Sequence, residues 1–212
     1  MIDPDVSRNQ WIEVRDRLAA KGVFARVDRA LSVRCPGREA MWLGGTADAA
    51  PLLVEWRGVA SSEAAAVHAM VYKQRGDVGA IAWAGGPFSR RLSQFGGALP
   101  QVFDEQARHI GAMPPPIENR GELFAALQTG GNAAVLQGLP LCFGTTPRRL
   151  ALNWELLEKC AKAYVLAVAT GGRVRKLPWW VRRIANARLA KDARAAAEAY
   201  RRGELPEESK GY

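Results

Sequence analysis

Apolar positions along the chain follow two periods, and the alternation between them predicts its elements. Trp11, Val14 and Leu18 fall on one face of a helix that Ser7 can cap and Gly22 can stop. Residues 30–34 (ALSVR) and 39–43 (EAMWL) read as strands, with Cys35-Pro36-Gly37-Arg38 as the hairpin turn between them. Residues 52–56 (LLVEW) make a third strand. Ser61 or Ser62 then caps a helix reaching about Arg75, whose inner face carries Ala64, Val67, His68 and Val71.

The apolar run Val78, Ala80, Ile81, Ala82, Trp83 is a buried strand, and Gly85-Gly86-Pro87 punctuates it before a short helix near residues 88–94. A brief helix follows over 103–111, then the stiff Met113-Pro114-Pro115-Pro116 connector, then a helix from about Gly121 to Gln128. Two more strands flank a turn at Gly138. Thr146-Pro147 pairs a cap with proline at the first helical position. The helix it opens puts Leu150, Trp154, Leu157, Ala161, Tyr164 and Val168 on one stripe and stops at Gly171-Gly172. Pro178 opens a last helix.

This order predicts one α/β domain with a central mixed or antiparallel sheet between helical layers, spanning residues 1–172. A basic helix (173–202) packs on the same domain and a loose tail (203–212) follows. The chain is 212 residues long with a net charge of +9, and residues 173–202 alone hold ten basic and two acidic side chains. Such a helix can meet an acidic partner, a nucleic acid or a membrane, but a solvated helix face is the simplest reading. No nucleic-acid motif or aromatic ladder accompanies it, and no apolar run is long enough to span a bilayer. The polar, acidic start lacks the regions of a signal peptide. Three scattered cysteines fit a reducing cytoplasm better than a disulfide framework or a zinc site.

The stretch SSEAAAVHAMVYKQRGDVGAIAWAGGPFSRRLS resembles the Ser-Ser-Glu, His, Tyr, Pro-Asp-Val, His-x-His segment of the class II aldolase/adducin family. DRALSVR is similar to that family's Gly-Asn-x-Ser-x-Arg strand. AAVLQGLPLCFGTTPRRLALNWELLEKCAKAY is similar to its Asn-His-Gly strand, turn and long helix. The resemblance runs from residue 10 to about 172 and implies a three-layer α/β/α fold. It also implies assembly into a homo-oligomer, commonly a cyclic tetramer with the pocket between subunits.

In the family's enzymes three histidines hold zinc or another divalent metal, which polarises a carbonyl and stabilises an enediolate. Those three positions fall here on Trp83, Gly85 and Gln137, so the resemblance implies a site without the metal and no cofactor. His68 and His109 are the only histidines, and a catalytic zinc site takes three protein ligands. Glu105 and His109 share a helix face and suit a local acid–imidazole pair better than a metal site. An indole at position 83 either offers a stacking face or plugs the pocket, and we expect partial filling.

Glu63 matches the family's acid/base glutamate but stands five residues before His68 instead of four, and it would equally suit a first helical turn. His68 reads as a satisfied core histidine. Ser61 and Ser62 fall where related enzymes bind a substrate phosphate, although capping explains them equally. Ser32 is kept from the Asn-x-Ser pattern while Ala30 replaces the asparagine, and Arg29 could meet a carboxylate.

Two readings of function stand. In one, Glu63 and His109 move a proton on a small carbonyl compound or organic acid held by Ser61, Ser62, Trp83, Gln137, Arg29 and Ser32. If catalytic, this would be a carbon–carbon or carbon–oxygen lyase working without the metal. In the other, the chain is a catalytically silent, adducin-like interaction subunit, with Trp83 in a closed core and the stripes at 150–168 or 181–184 meeting other subunits.

Overall fold

Strict alternation along the central strands sends successive side chains into two separate cores. The computed structural model describes residues 4–22, 30–45 and 47–208. Its six strands are β1 (Ala30–Arg34), β2 (Ala40–Gly44), β3 (Leu52–Glu55), β4 (Ala80–Trp83), β5 (Ala133–Leu136) and β6 (Leu139–Gly144). They form one sheet in the order β3-β2-β1-β4-β6-β5, with every neighbouring pair antiparallel. A single parallel bridge, Ile117 to Leu136, extends it beyond β5.

On β4, Ala80 and Ala82 face one core while Ile81 and Trp83 face the other. On β6, Cys142 opposes Leu141 and Phe143 in the same way. The first face is covered by helix α1 (Pro4–Ala20) and by α5 (Pro147–Ala169), whose buried residues include Leu150, Trp154, Leu157, Ala161 and Val165. The stripe expected to face either a core or another subunit therefore lines this chain's own core. The second face is covered by α2 (Glu63–Gln74) and α4 (Arg120–Leu127). This is the expected α/β/α layering, with the sheet wholly antiparallel apart from the one bridge.

Local signals explain the ends of these helices. The Ser62 hydroxyl accepts from the Ala65 N–H at 3.1 Å and the Thr146 hydroxyl from the Arg149 N–H at 3.0 Å. The segment after β4 differs from the expected helix: residues Ser89–Phe95 wind as a 3₁₀ helix ending at Gly96 in the left-handed region. α3 (Asp104–His109) precedes α4, and α6 (Trp179–Arg201) starts after Pro178.

α6 buries Ala185, Leu189, Ala196, Ala199 and Tyr200 and exposes Arg183, Arg188, Lys191, Arg194, Arg201 and Arg202. The Tyr200 hydroxyl donates to the Thr145 carbonyl at 2.7 Å, and the Arg34 guanidinium lies 4.8 Å from the Tyr200 ring. Beyond it, the Glu204 N–H donates to the Ala199 carbonyl, and Glu208 accepts from the Thr146 hydroxyl. Arg75 and Asp77 form a buried ion pair at 2.7 Å, with Arg75 also donating to the Gly131 carbonyl at 2.9 Å. That pair ties the end of α2 to the start of β5.

Candidate functional site

Three chain segments meet at one end of the sheet. Gln137 and Gly138, at φ +52° and +74°, form the two-residue turn of the β5–β6 hairpin. Positive φ at both positions is the type I′ pattern, which suits glycine and is uncommon for glutamine. The turn is pinned, because the Gln137 N–H donates to the Ile117 carbonyl at 2.8 Å. Held this way, the Gln137 Nε2 donates to Glu63 Oε1 at 3.0 Å across the gap to α2. Ser61, Ser62 and Glu63 are all exposed at that helix start. A carboxylate is thus fixed by an amide at the solvent edge of the sheet.

The end of β4 lies beside this pair, since the Ala84 N–H donates to the Pro140 carbonyl at 3.1 Å, two residues past the Gln137-Gly138 turn. Trp83 is 0% exposed and packs in the core with residues of α2, α4 and the sheet. The indole fills its space fully, where partial filling was expected. The two glycines after it have a structural reason. A Cβ on Gly85 would lie 1.9 Å from Cγ of Arg90, and a Cβ on Gly86 would lie 2.4 Å from Oε2 of Glu158. Glu158, from α5, accepts from the Phe88 N–H and from the Ser89 N–H at 3.0 Å, so it caps the 3₁₀ helix. Gly85-Gly86 is the opening through which Arg90 and Glu158 enter.

No protein-family model and no curated protein matches the sequence. Solved structures do match. YgbL from Klebsiella pneumoniae superposes with a TM-score of 0.73 at 17% identity, covering 87% of this chain and 99% of its own. L-fuculose 1-phosphate aldolase from Glaciozyma antarctica PI12 gives 0.70 at 19% identity, with 95% and 92% covered. An aldolase II superfamily protein from Pseudomonas syringae gives 0.70 at 14% identity, with 97% and 98% covered. The chain has the class II aldolase fold.

Within the class II aldolase fold, the three positions that the sequence resemblance assigns to metal ligands carry a poor donor set. The Trp83 indole has no lone pair to give, Gly85 has no side chain, and the Gln137 amide is engaged with Glu63. No cluster of three or more histidine, cysteine, aspartate or glutamate side chains suited to a metal occurs among the described residues.

The remaining candidates occupy two other places. Ser32 is 0% exposed, its hydroxyl sharing hydrogen bonds with the Tyr72 hydroxyl (2.9 Å) and His68 Nδ1 (2.8 Å). Burial pushes the His68 pKa down to about 3 and raises that of the Tyr72 phenol, so both are neutral at ordinary pH. His68 is a core histidine with one nitrogen satisfied, while its Nε2 has no partner among the described residues. Ser32 therefore orients a buried relay between β1 and α2 and does not face the Glu63–Gln137 edge.

His109 is held at the other end of β5, because its carbonyl accepts from the Asn132 side chain at 2.9 Å. Five strand steps, roughly 17 Å, separate Asn132 from Gln137. The class II aldolase fold thus brings Glu63 and Gln137 together and leaves His109 apart. His109 lines a cavity of about 710 Å³ with Arg108, Arg149, Asp192 and Glu208, and burial, then Arg149 and Arg108, lower its pKa to about 4. Arg29 lies outside the described residues. Sequence reasoning missed Arg90 and Glu158; their only signal was the glycine pair that makes room for them.

Proposed function

We propose that the chain uses the class II aldolase fold without the family's divalent metal. It binds a small carbonyl compound or organic acid at the Glu63–Gln137 edge, with Glu63 accepting or returning a proton at carbon. The observation that carries this reading is the 3.0 Å hydrogen bond from the Gln137 amide to the Glu63 carboxylate, at a solvent-facing end of the sheet. An amide donor holds the carboxylate in a fixed aim, as a positioned general base requires. The strained backbone of Gln137 supports it as well, since a left-handed glutamine persists where the surroundings hold it. His109 has no part in this chemistry, for its place is at the far end of β5.

Proton exchange tests the reading. The protein, in D₂O with EDTA, is incubated with hydroxyketones and oxo acids, and deuterium uptake beside the carbonyl is followed by NMR. Glu63→Gln is expected to lower the catalysed exchange about 10²- to 10⁴-fold. Exchange that EDTA abolishes, or that survives Glu63→Gln, contradicts the proposal.

One observation favours the second reading, a silent interaction subunit: Trp83 lies in a closed core. Absence of exchange with every compound would favour it. Self-assembly belongs to both readings, and exposed Trp179 (68%), Trp180 (55%) and Ile184 (52%) at the start of α6 supply apolar surface for it. Light scattering coupled to size exclusion measures the state directly. No helix among the described residues is long and apolar enough to cross a membrane.

A further inference from the structure

The space that a side chain at Gly85 would fill is taken by the stem of Arg90, whose Cγ, Cδ and Nε lie 1.9, 2.5 and 3.2 Å from the Cβ position. This is one of the positions that the resemblance assigns to a metal ligand. Arg90 is half-buried, and its guanidinium has no ion pair or hydrogen bond among the described residues. The adjacent carboxylate, Glu158, is turned onto the backbone N–H groups of Phe88 and Ser89. Arg91 and Gln94 are exposed on the same 3₁₀ helix, and their side chains likewise make no hydrogen bond or ion pair among the described residues. With Gly85, Gly86 and Pro87 they line a concavity of about 320 Å³. A volume of that order lies at the small end of ligand sites.

We infer that Arg90 supplies the positive charge at this end of the sheet and that the Gly85–Arg90–Gln94 concavity is a subsite for the carboxylate of a small hydroxy or oxo acid. The inference rests on the Glu63–Gln137 edge being a ligand site, and it names the ligand class. A partly desolvated guanidinium with no partner favours an anion, and its planar fork matches a carboxylate in two parallel hydrogen bonds. The Gln94 amide, a donor and an acceptor, suits the neighbouring hydroxyl or carbonyl oxygen. Arg91 adds a second, solvent-screened charge. The missing Cβ at Gly85 is what admits the Arg90 stem, so glycine at 85 belongs to the subsite as much as the arginine does.

Calorimetric titration of EDTA-treated protein with glycolate, and in parallel with inorganic phosphate, tests the assignment. Wild type is expected to bind glycolate, more weakly as salt rises. Arg90→Gln should lose roughly 10- to 100-fold in affinity. Arg90→Lys keeps the charge but not the fork, and should recover only part of it. Gly85→Ala keeps the charge but displaces the stem, and should also weaken binding. Circular dichroism confirms that each variant is folded.

No glycolate binding by wild type, equal binding by Arg90→Gln, or tighter binding of phosphate than of glycolate overturns the inference. The two proposals fail separately. Exchange that depends on Glu63 while Arg90→Gln binds normally removes the subsite alone. Glycolate binding that depends on Arg90 with no exchange at all removes the Glu63 chemistry alone.

Discussion

Replacing Gly85 with alanine probes the packing on which the site depends. The new methyl group would sit 1.9 Å from Arg90 Cγ and 2.5 Å from Cδ, far inside van der Waals contact, so the Arg90 stem must leave. Overpacking of this kind costs about 1–3 kcal/mol, and the lower half of that range applies because Arg90 is half-buried and can swing outward. For a chain of this size each kcal/mol moves the thermal midpoint roughly 2–4 °C. Arg90→Ala alone loses the packing of one or two methylenes, on the order of 1 kcal/mol. In the double variant the alanine methyl occupies the vacated position, so its stability should be close to that of Arg90→Ala. The cycle should thus return a favourable coupling of about 1–2 kcal/mol. Urea denaturation under reducing conditions measures all four proteins. A Gly85→Ala variant as stable as wild type, or two effects that simply add, would refute the placement of Arg90 over Gly85.

Three further outcomes follow from the cores. Trp83→Ala should cost about 3–5 kcal/mol in denaturant unfolding, because the indole is fully buried; a loss below about 1 kcal/mol would place it outside the core. His68 has a folded pKa of about 3 against an unfolded value of about 6.5, so the unfolded chain binds the extra proton first and stability falls as pH drops through that window. The slope from this group approaches about 1.4 kcal/mol per pH unit, His109 acts in the same direction, and His68→Gln should flatten the stability profile measured from pH 7 to 4. Asp77→Ala strands the Arg75 guanidinium in a buried position and should cost about 3–5 kcal/mol, whereas adding Arg75→Met should restore most of it.

Features with local causes were legible in the sequence. Ser62 and Thr146-Pro147 mark helix starts because capping involves residues three apart, and the α5 stripe shows its core face through helical spacing. Residues 30–34 and the run 78–83 read as strands through apolar, strand-length runs; β4 begins only at Ala80, and β2 begins one residue later than expected. The Glu63–Gln137 contact was legible only through the family resemblance, since 74 residues separate the partners. What stayed hidden depends on through-space neighbours. Gly85 and Gly86 read as punctuation because Glu158, which fills the second gap, comes from a helix about 70 residues on. His109 looked available to Glu63 because no spacing rule shows which end of β5 a loop will reach. Ser32 looked like a ligand contact because the pattern does not say that Tyr72 and His68 enclose it.

Metal content decides whether this class II aldolase fold works without the family's metal. Untagged protein is incubated with zinc, manganese and iron, dialysed, and analysed by elemental mass spectrometry. No stoichiometric retention of any of the three is expected, in wild type and Gln137→Ala alike. Near-stoichiometric retention that Gln137→Ala or Glu63→Gln abolishes would contradict that expectation and return metal-assisted lyase chemistry to this end of the sheet.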